Sequence, residues 1–243
     1  MMRLIRCLVA SLFTLSMGST QAALIDRGGG LLYDNTLNIT WLQDANYAKT
    51  SNHDSDGKMS WAAANSWAAN LVYGGYNDWR LAVNTPVGAD WNYDYATDGS
   101  TDSGYNIINP HSELGYMYHV NLGLKSAYSP SGDGQTDYGV HGDGSSGGQL
   151  DVGLVRNLQS FVYWSGTTYA YPDSAWIFRT DFGNQNGAYL HYRSQPVEFY
   201  AWAVRPGDVA AEQDGNDVPE PASLALFGIA LAGLGATRCR KQS

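Results

Sequence analysis

Cysteine is nearly missing. The chain of 243 residues has two, Cys7 and Cys239, one near each end. The long middle has none, which excludes a disulfide, a thiolate metal site and a cysteine nucleophile there. A domain without disulfides rests on its core, helped by any ions it binds. Charge is scarce as well: Asp, Glu, Lys and Arg make up 15%, against the usual quarter. What charge exists leans acidic. Arg3, Arg6, Arg238, Arg240 and Lys241 lie in the two ends. Without them and Glu220, nine cations face 22 acids, a balance of about −13. Nucleic-acid binding needs a cationic surface that releases counterions, so that class is set aside, and cations fit as partners instead. The five histidines (His53, His111, His119, His141, His191) have no histidine at i+4 and no His-Glu-x-x-His run, which argues against a zinc hydrolase.

Aromatic residues are plentiful at 13%, with 17 Tyr and 8 Trp beside 28 Gly. Rings on this scale bury large areas and argue against disorder. The composition fits a loop-rich β or α+β domain.

Both ends read as sorting signals. Residues 1–22 have a positive start, an uncharged run from Cys7 to Met17, and small residues before a cut between Ala22 and Ala23. The alternative, a membrane anchor, meets a run too short to span about 30 Å comfortably. At the other end, Val218-Pro219-Glu220-Pro221 precedes the uncharged stretch Ala222 to Thr237 and the basic Arg238-Cys239-Arg240-Lys241. The prolines break a helix, the apolar run suits a short transmembrane helix, and the basic end stays cytoplasmic. These three parts in order resemble a PEP-CTERM sorting signal over residues 218–241. The resemblance implies an exosortase-type processing enzyme as partner, cleavage near Pro-Glu-Pro, and a host that makes exopolysaccharide. The protein is then held in the inner membrane by the C-terminal helix before release to the envelope or the outside.

Between the signals, residues 23–208 form one domain and residues 209–217 a polar linker. Ser60 caps a helix predicted from Trp61 to Val72, with Trp61, Ala64, Ala68, Leu71 and Val72 on one stripe and Gly74-Gly75 ending it. A second helix is predicted from Asn109-Pro110 to about Leu122. Strands are expected at 31–33, 39–42, 79–81, 161–165, 175–181, 188–192 and 200–205, with a long loop from Ser129 to Gln149. Trp41, Trp79, Trp164, Trp176 and Trp202 fall in these strands and read as core. Arg80 and Arg205 stand beside tryptophans, and each is expected to pair with an acid or a carbonyl.

The landmarks Gly30-Leu31-Leu32-Tyr33-Asp34, Ile39-Thr40-Trp41-Leu42-Gln43-Asp44-Ala45, Asp78-Trp79-Arg80-Leu81, Ser112-Glu113-Leu114, Tyr163-Trp164-Ser165-Gly166 and Ala203-Val204-Arg205-Pro206 resemble an Lcl C-terminal-type domain. That resemblance implies an α+β, C-type-lectin-like fold: two helices on short, mostly antiparallel strands with long loops. It offers adhesion or glycan binding by analogy only. Ala82 stands where the family commonly has Pro. The region Asp102 to Asn109 lacks the cysteine that many relatives carry.

Three sets of residues are candidates for chemistry. Asp54 and Asp56, with Gly57 and Ser60, resemble the start of a calcium loop, yet Asn65 stands where its closing Glu belongs. The same residues make turns and caps without any ion. Asp90, Asp94, Asp98 and Asp102 recur among Trp91, Tyr93, Tyr95 and Tyr105, while Asp133, Asp137 and Asp143 lie in the long loop. Rings that stack on sugar faces beside carboxylates that accept from hydroxyls are a carbohydrate-binding inventory, with Asp94, Tyr95, Asp98, Asp133 and Asp137 as the ligand loop. A solvated acidic loop has the same composition. A glycosidase needs two facing carboxylates, and nothing in the sequence selects a pair. The sequence thus points to an exported, non-catalytic binding module for carbohydrate or envelope components. A structural matrix component and an Asp-dependent polysaccharide hydrolase stand as alternatives.

Overall fold

The computed structural model describes residues 24–210. Strands β1 (Leu24–Gly28), β2 (Leu31–Asp34) and β3 (Ile39–Leu42) form an antiparallel meander. Helix α1 (Tyr47–Thr50), strand β4 (Lys58–Ser60) and helix α2 (Trp61–Ala69) follow. Next come β5 (Arg80–Leu81), β6 (Tyr95–Ala96) and β7 (Ser103–Tyr105). Helix α3 (Glu113–Tyr116) widens into a single π-helical stretch, Met117–Asn121. The last part is all strand: β8 (Gln149–Val152), β9 (Val155–Gln159), β10 (Val162–Thr168), β11 (Ser174–Arg179), β12 (Asn184–Tyr189), β13 (His191–Tyr192), β14 (Gln195–Pro196), β15 (Glu198–Tyr200) and β16 (Ala203–Pro206).

Two sheets organise the chain. One has the order β1-β2-β3-β16-β5, the other β4-β15-β10-β11-β12-β7-β6. β8–β9 and β13–β14 are separate hairpins. Trp202 lies between β15 and β16, where the chain passes from one sheet to the other. Its ring centroid is 4.7 Å from that of Trp41 in β3 and 6.1 Å from that of Tyr163 in β10. Its indole N–H donates to the Leu42 carbonyl at 2.7 Å. Burying a large ring with its one polar atom satisfied fixes the junction. Trp41, Trp79, Trp164, Trp176 and Trp202 are all buried. β3 is buried along its whole length, as a strand covered on both faces must be.

The expected α+β, C-type-lectin-like architecture with two substantial helices is overturned: the fold is mostly β. Ser60 does cap α2, accepting from the Ala63 amide at 3.3 Å, but α2 stops at Ala69. Its buried residues are Ala64, Trp67 and Ala68, whereas Val72 is exposed. The second predicted helix shrinks further, because its first residues are drawn into sheet-like contacts. The Thr85 amide donates to the His111 carbonyl at 2.8 Å, and Asn84 bridges Ser112. The apolar spacing from 109 to 122 is real; tertiary pairing overrides the helix it predicts. The strand expected at 200–205 is two strands, β15 and β16, in different sheets. No helix among the described residues is long and apolar enough to cross a membrane. The predicted C-terminal transmembrane helix, the sorting residues and the N-terminal signal lie outside the described residues.

The two predicted arginine pairings are formed. Arg80 makes a bidentate pair with Glu113, both bonds 2.7 Å, and Glu113 also accepts from the Val83 amide at 2.8 Å. Arg205 pairs with Asp78 at 2.8 and 3.1 Å, and holds that carboxyl below the usual carboxylate range. The packed part reaches Val209, which is buried.

Candidate functional site

The predicted aspartates separate into different roles. Asp102 is buried and accepts from the Val87 and Asn92 amides, both at 2.7 Å. It anchors the aromatic loop from inside. Asp94 and Asp98 are exposed on that loop. Ser100 donates to Asp98 through its hydroxyl and its amide, and so lowers the Asp98 pKa. Tyr95 is exposed, accepts from the Asn184 side chain at 2.8 Å, and meets Tyr105 edge-on at 5.6 Å. Asp133 is exposed and accepts from Ser131 at 2.9 Å. Asp137 pairs with Lys125, which lowers its pKa.

Asn106 brings two of these segments together. Its amide nitrogen donates to the Thr97 carbonyl at 2.6 Å and to the Tyr128 carbonyl at 2.8 Å. The segments carrying Asp98 and Asp133 are therefore neighbours, and Tyr105 stands 5.1 Å from Tyr128. A second ring cluster, Trp91, Tyr93, Tyr169 and Trp176, packs around the buried Trp176. Arg179 of β11 is in register with Asn184 of β12, and Asn184 with Tyr105 of β7, so Tyr105 shares the Arg179 face; strand alternation puts Trp176 on the opposite face, and the two clusters flank the sheet from different sides. The result is a ringed, acidic edge. None of the five predicted ligand-loop residues lines one of the larger clefts.

The concave surface lies elsewhere, around α1. Three hollows of about 550, 530 and 460 Å³ meet there, sharing Tyr47, Thr50, His53 and Asn157. One wall is the segment from Asn46 to Ser55, and the other is the β8–β9 hairpin with Gln149, Asp151, Arg156 and Asn157. Backbone pairing joins the walls: the Ala45 amide donates to the Arg156 carbonyl at 2.9 Å, and the Arg156 amide to the Gln43 carbonyl at 2.8 Å. Tyr47 and Tyr73 meet edge-on at 4.9 Å on one side. Asn46 is buried, and its Oδ1 has no hydrogen-bond partner among the described residues.

Of the predicted metal residues, Asp54 lines this groove. Its Oδ1 accepts from the Asp56 and Gly57 amides at 3.0 and 2.8 Å. Asp56 accepts from the Lys58 amide at 2.9 Å and pairs with the Lys58 ammonium at 3.4 Å, the amide being the main reason its pKa is lowered. Both carboxylates thus close a turn. Among the described residues no three His, Cys, Asp or Glu side chains gather as a metal cluster.

Sequence reasoning missed Asn46, Lys49, Asn52, Gln149 and Asn157. The available signal was a dense polar run from Asn46 to Asp56 following a strand buried throughout.

Residues 217–241 match the PEP-CTERM protein-sorting motif. The chain is thus an exported protein with an envelope or extracellular destination. Its tail is a substrate for an exosortase-type processing enzyme. No curated protein and no solved structure matches the chain. The Lcl-type, C-type-lectin-like resemblance of the middle finds no support in these comparisons.

Proposed function

We infer that this exosortase-sorted protein is a non-catalytic binding module, and that it holds carbohydrate or a related envelope component in the groove around α1. The observation that carries this reading is the lining of the groove. Asn52, Gln149 and Asn157 supply amides that both donate and accept, as sugar hydroxyls require; Gln149 donates to Asn157 at 2.9 Å, which leaves each amide with capacity to spare, and Tyr47 and Tyr73 supply ring surface. Concave sites with a few convergent polar groups are where small ligands bind. The ringed edge near Tyr95 has suitable residues but lines none of the three larger clefts. Hydrolysis needs two facing acids free to exchange protons; the groove's acids are instead engaged by backbone amides or by Arg156.

The test uses the full chain, purified in detergent micelles, against a panel of exopolysaccharides and glycans with and without calcium. Saturable binding is expected. It weakens in Gln149→Ala, on the groove wall, and is unchanged in Tyr95→Ala, at the sheet edge. Absence of binding, or the reverse pattern, contradicts the reading.

A further inference from the structure

The groove contains five charged side chains: Asp44, Lys49, Asp54, Asp151 and Arg156. Four are engaged by the protein itself. Asp54 closes the turn at Gly57, and Asp44 accepts from the Asn46 amide at 2.8 Å. Asp151 accepts from the Asn157 amide at 3.0 Å and lies 3.7 Å from Arg156. Lys49 alone has no acid in ion-pair range and no ring beneath it among the described residues.

That isolation is specific to this cation. Arg27, Lys58, Arg80, Lys125, Arg156, Arg179 and Arg205 each pair with an acid. Arg193 stands 5.3 Å from the centroid of the Tyr192 ring. Residues 24–210 hold nineteen acids to nine cations, so the lack of a partner at Lys49 does not come from a shortage of acids. An ammonium left free in a groove whose carboxylates are taken is a contact for an anion. Charge-assisted hydrogen bonds are roughly twice as strong as neutral ones.

We propose that Lys49 selects the ligand of the groove, and that this ligand is a polysaccharide bearing anionic groups, carboxylate or sulfate, on its sugars. The inference rests on the glycan-binding reading above. The surrounding acidity opposes loose association of such a polymer, but screening confines that repulsion to about 8 Å at physiological salt. Selection therefore falls to the contact at Lys49, with the neighbouring amides taking hydroxyls.

The experiment measures affinity of the full chain in micelles for three hexasaccharides: a polyuronate, its carboxyl-reduced neutral form, and a sulfated one. Lys49→Gln and the charge-keeping Lys49→Arg are compared with the native chain. Lys49 is exposed, so neither variant endangers the fold. Preference for an anionic sugar by about five- to tenfold is expected, lost in Lys49→Gln and kept in Lys49→Arg. Whichever anionic sugar shows that preference identifies the group. Equal binding of neutral and anionic sugars overturns the inference and leaves the glycan reading standing. So does calcium-dependent binding indifferent to Lys49→Gln. Failure of all three to bind overturns both.

Discussion

Asn46 occupies the space that a side chain at position 57 would need. An ideal Cβ on Gly57 would lie 1.8 Å from Asn46 Oδ1, and Gly57 has φ +86. The two residues together fix the groove wall between α1 and β4. Gly57→Ala is expected to destabilise the protein by about 2 kcal/mol or more, from left-handed backbone and steric conflict together. At this chain length that lowers Tm by about 5 °C or more. The double variant Asn46→Ala/Gly57→Ala relieves the conflict and recovers part of the loss, the backbone share remaining. Thermal unfolding monitored by circular dichroism measures both, and an unshifted Gly57→Ala transition contradicts the account.

Glu113 serves two partners at once, Arg80 and the Val83 amide. Removing one member of a fully buried pair costs about 3–5 kcal/mol. The Arg80 side chain is 35% exposed and that of Glu113 11%, so the expected loss for Glu113→Ala is smaller, about 2 kcal/mol. Urea denaturation gives the number. Glu113→Gln should cost less, since it keeps an acceptor for Val83.

His119 predicts an acid sensitivity. Burial lowers its pKa from 6.5 to about 4, with Leu124 and Gly183 backbone groups opposing that shift. A folded-state pKa below the unfolded value means the unfolded chain binds the proton first. Stability is therefore full above about pH 6.5 and declines as pH falls toward 4, by on the order of 3 kcal/mol in all. Denaturation midpoints between pH 7 and 4.5 test this. His119→Gln should flatten the dependence in that window. The lowered Asp56, Asp78 and Asp98 act in a separate window, losing their contribution as pH falls below about 4.

Much of the core was legible in the sequence, and the groove was not. The five tryptophans in the predicted strands, with few charges around them, are all buried, although Trp79 and Trp202 sit just outside the strands that form. Arg80 and Arg205 carry charges that burial cannot remove, so an acid partner was nearly obligatory. Local signals also gave the Ser60 cap and strand Ile39–Leu42. The failures are non-local. Nothing in the run 200–205 says that Ala201 and Trp202 divide it between two sheets. The apolar spacing from 109 to 122 reads as helix until strand-like pairing with residues 84 and 85 claims its start. The groove is built by segments a hundred residues apart, joined through Asp44 and Arg156, and no motif marks such a meeting. The repeated aspartates look alike in sequence and part in the fold. Asp102 shares the composition of Asp94 and Asp98 but points inward to hold their loop.

Processing sets the final form of the protein. Intact-mass measurement on material from the producing host should show a chain that begins at Ala23 and ends near Val218–Pro221. A chain still ending at Ser243 contradicts cleavage of the tail. Glu220→Ala in the sorting motif is expected to leave the longer, unprocessed mass.

The proposed ligand site is tested most directly by hydrogen–deuterium exchange on the full chain with and without the polyuronate hexasaccharide. Slowed exchange is expected in 46–55 and 149–157, the two walls of the groove, and no change in 94–98 or 129–133. Protection confined to those latter loops, or found nowhere, contradicts the proposed site.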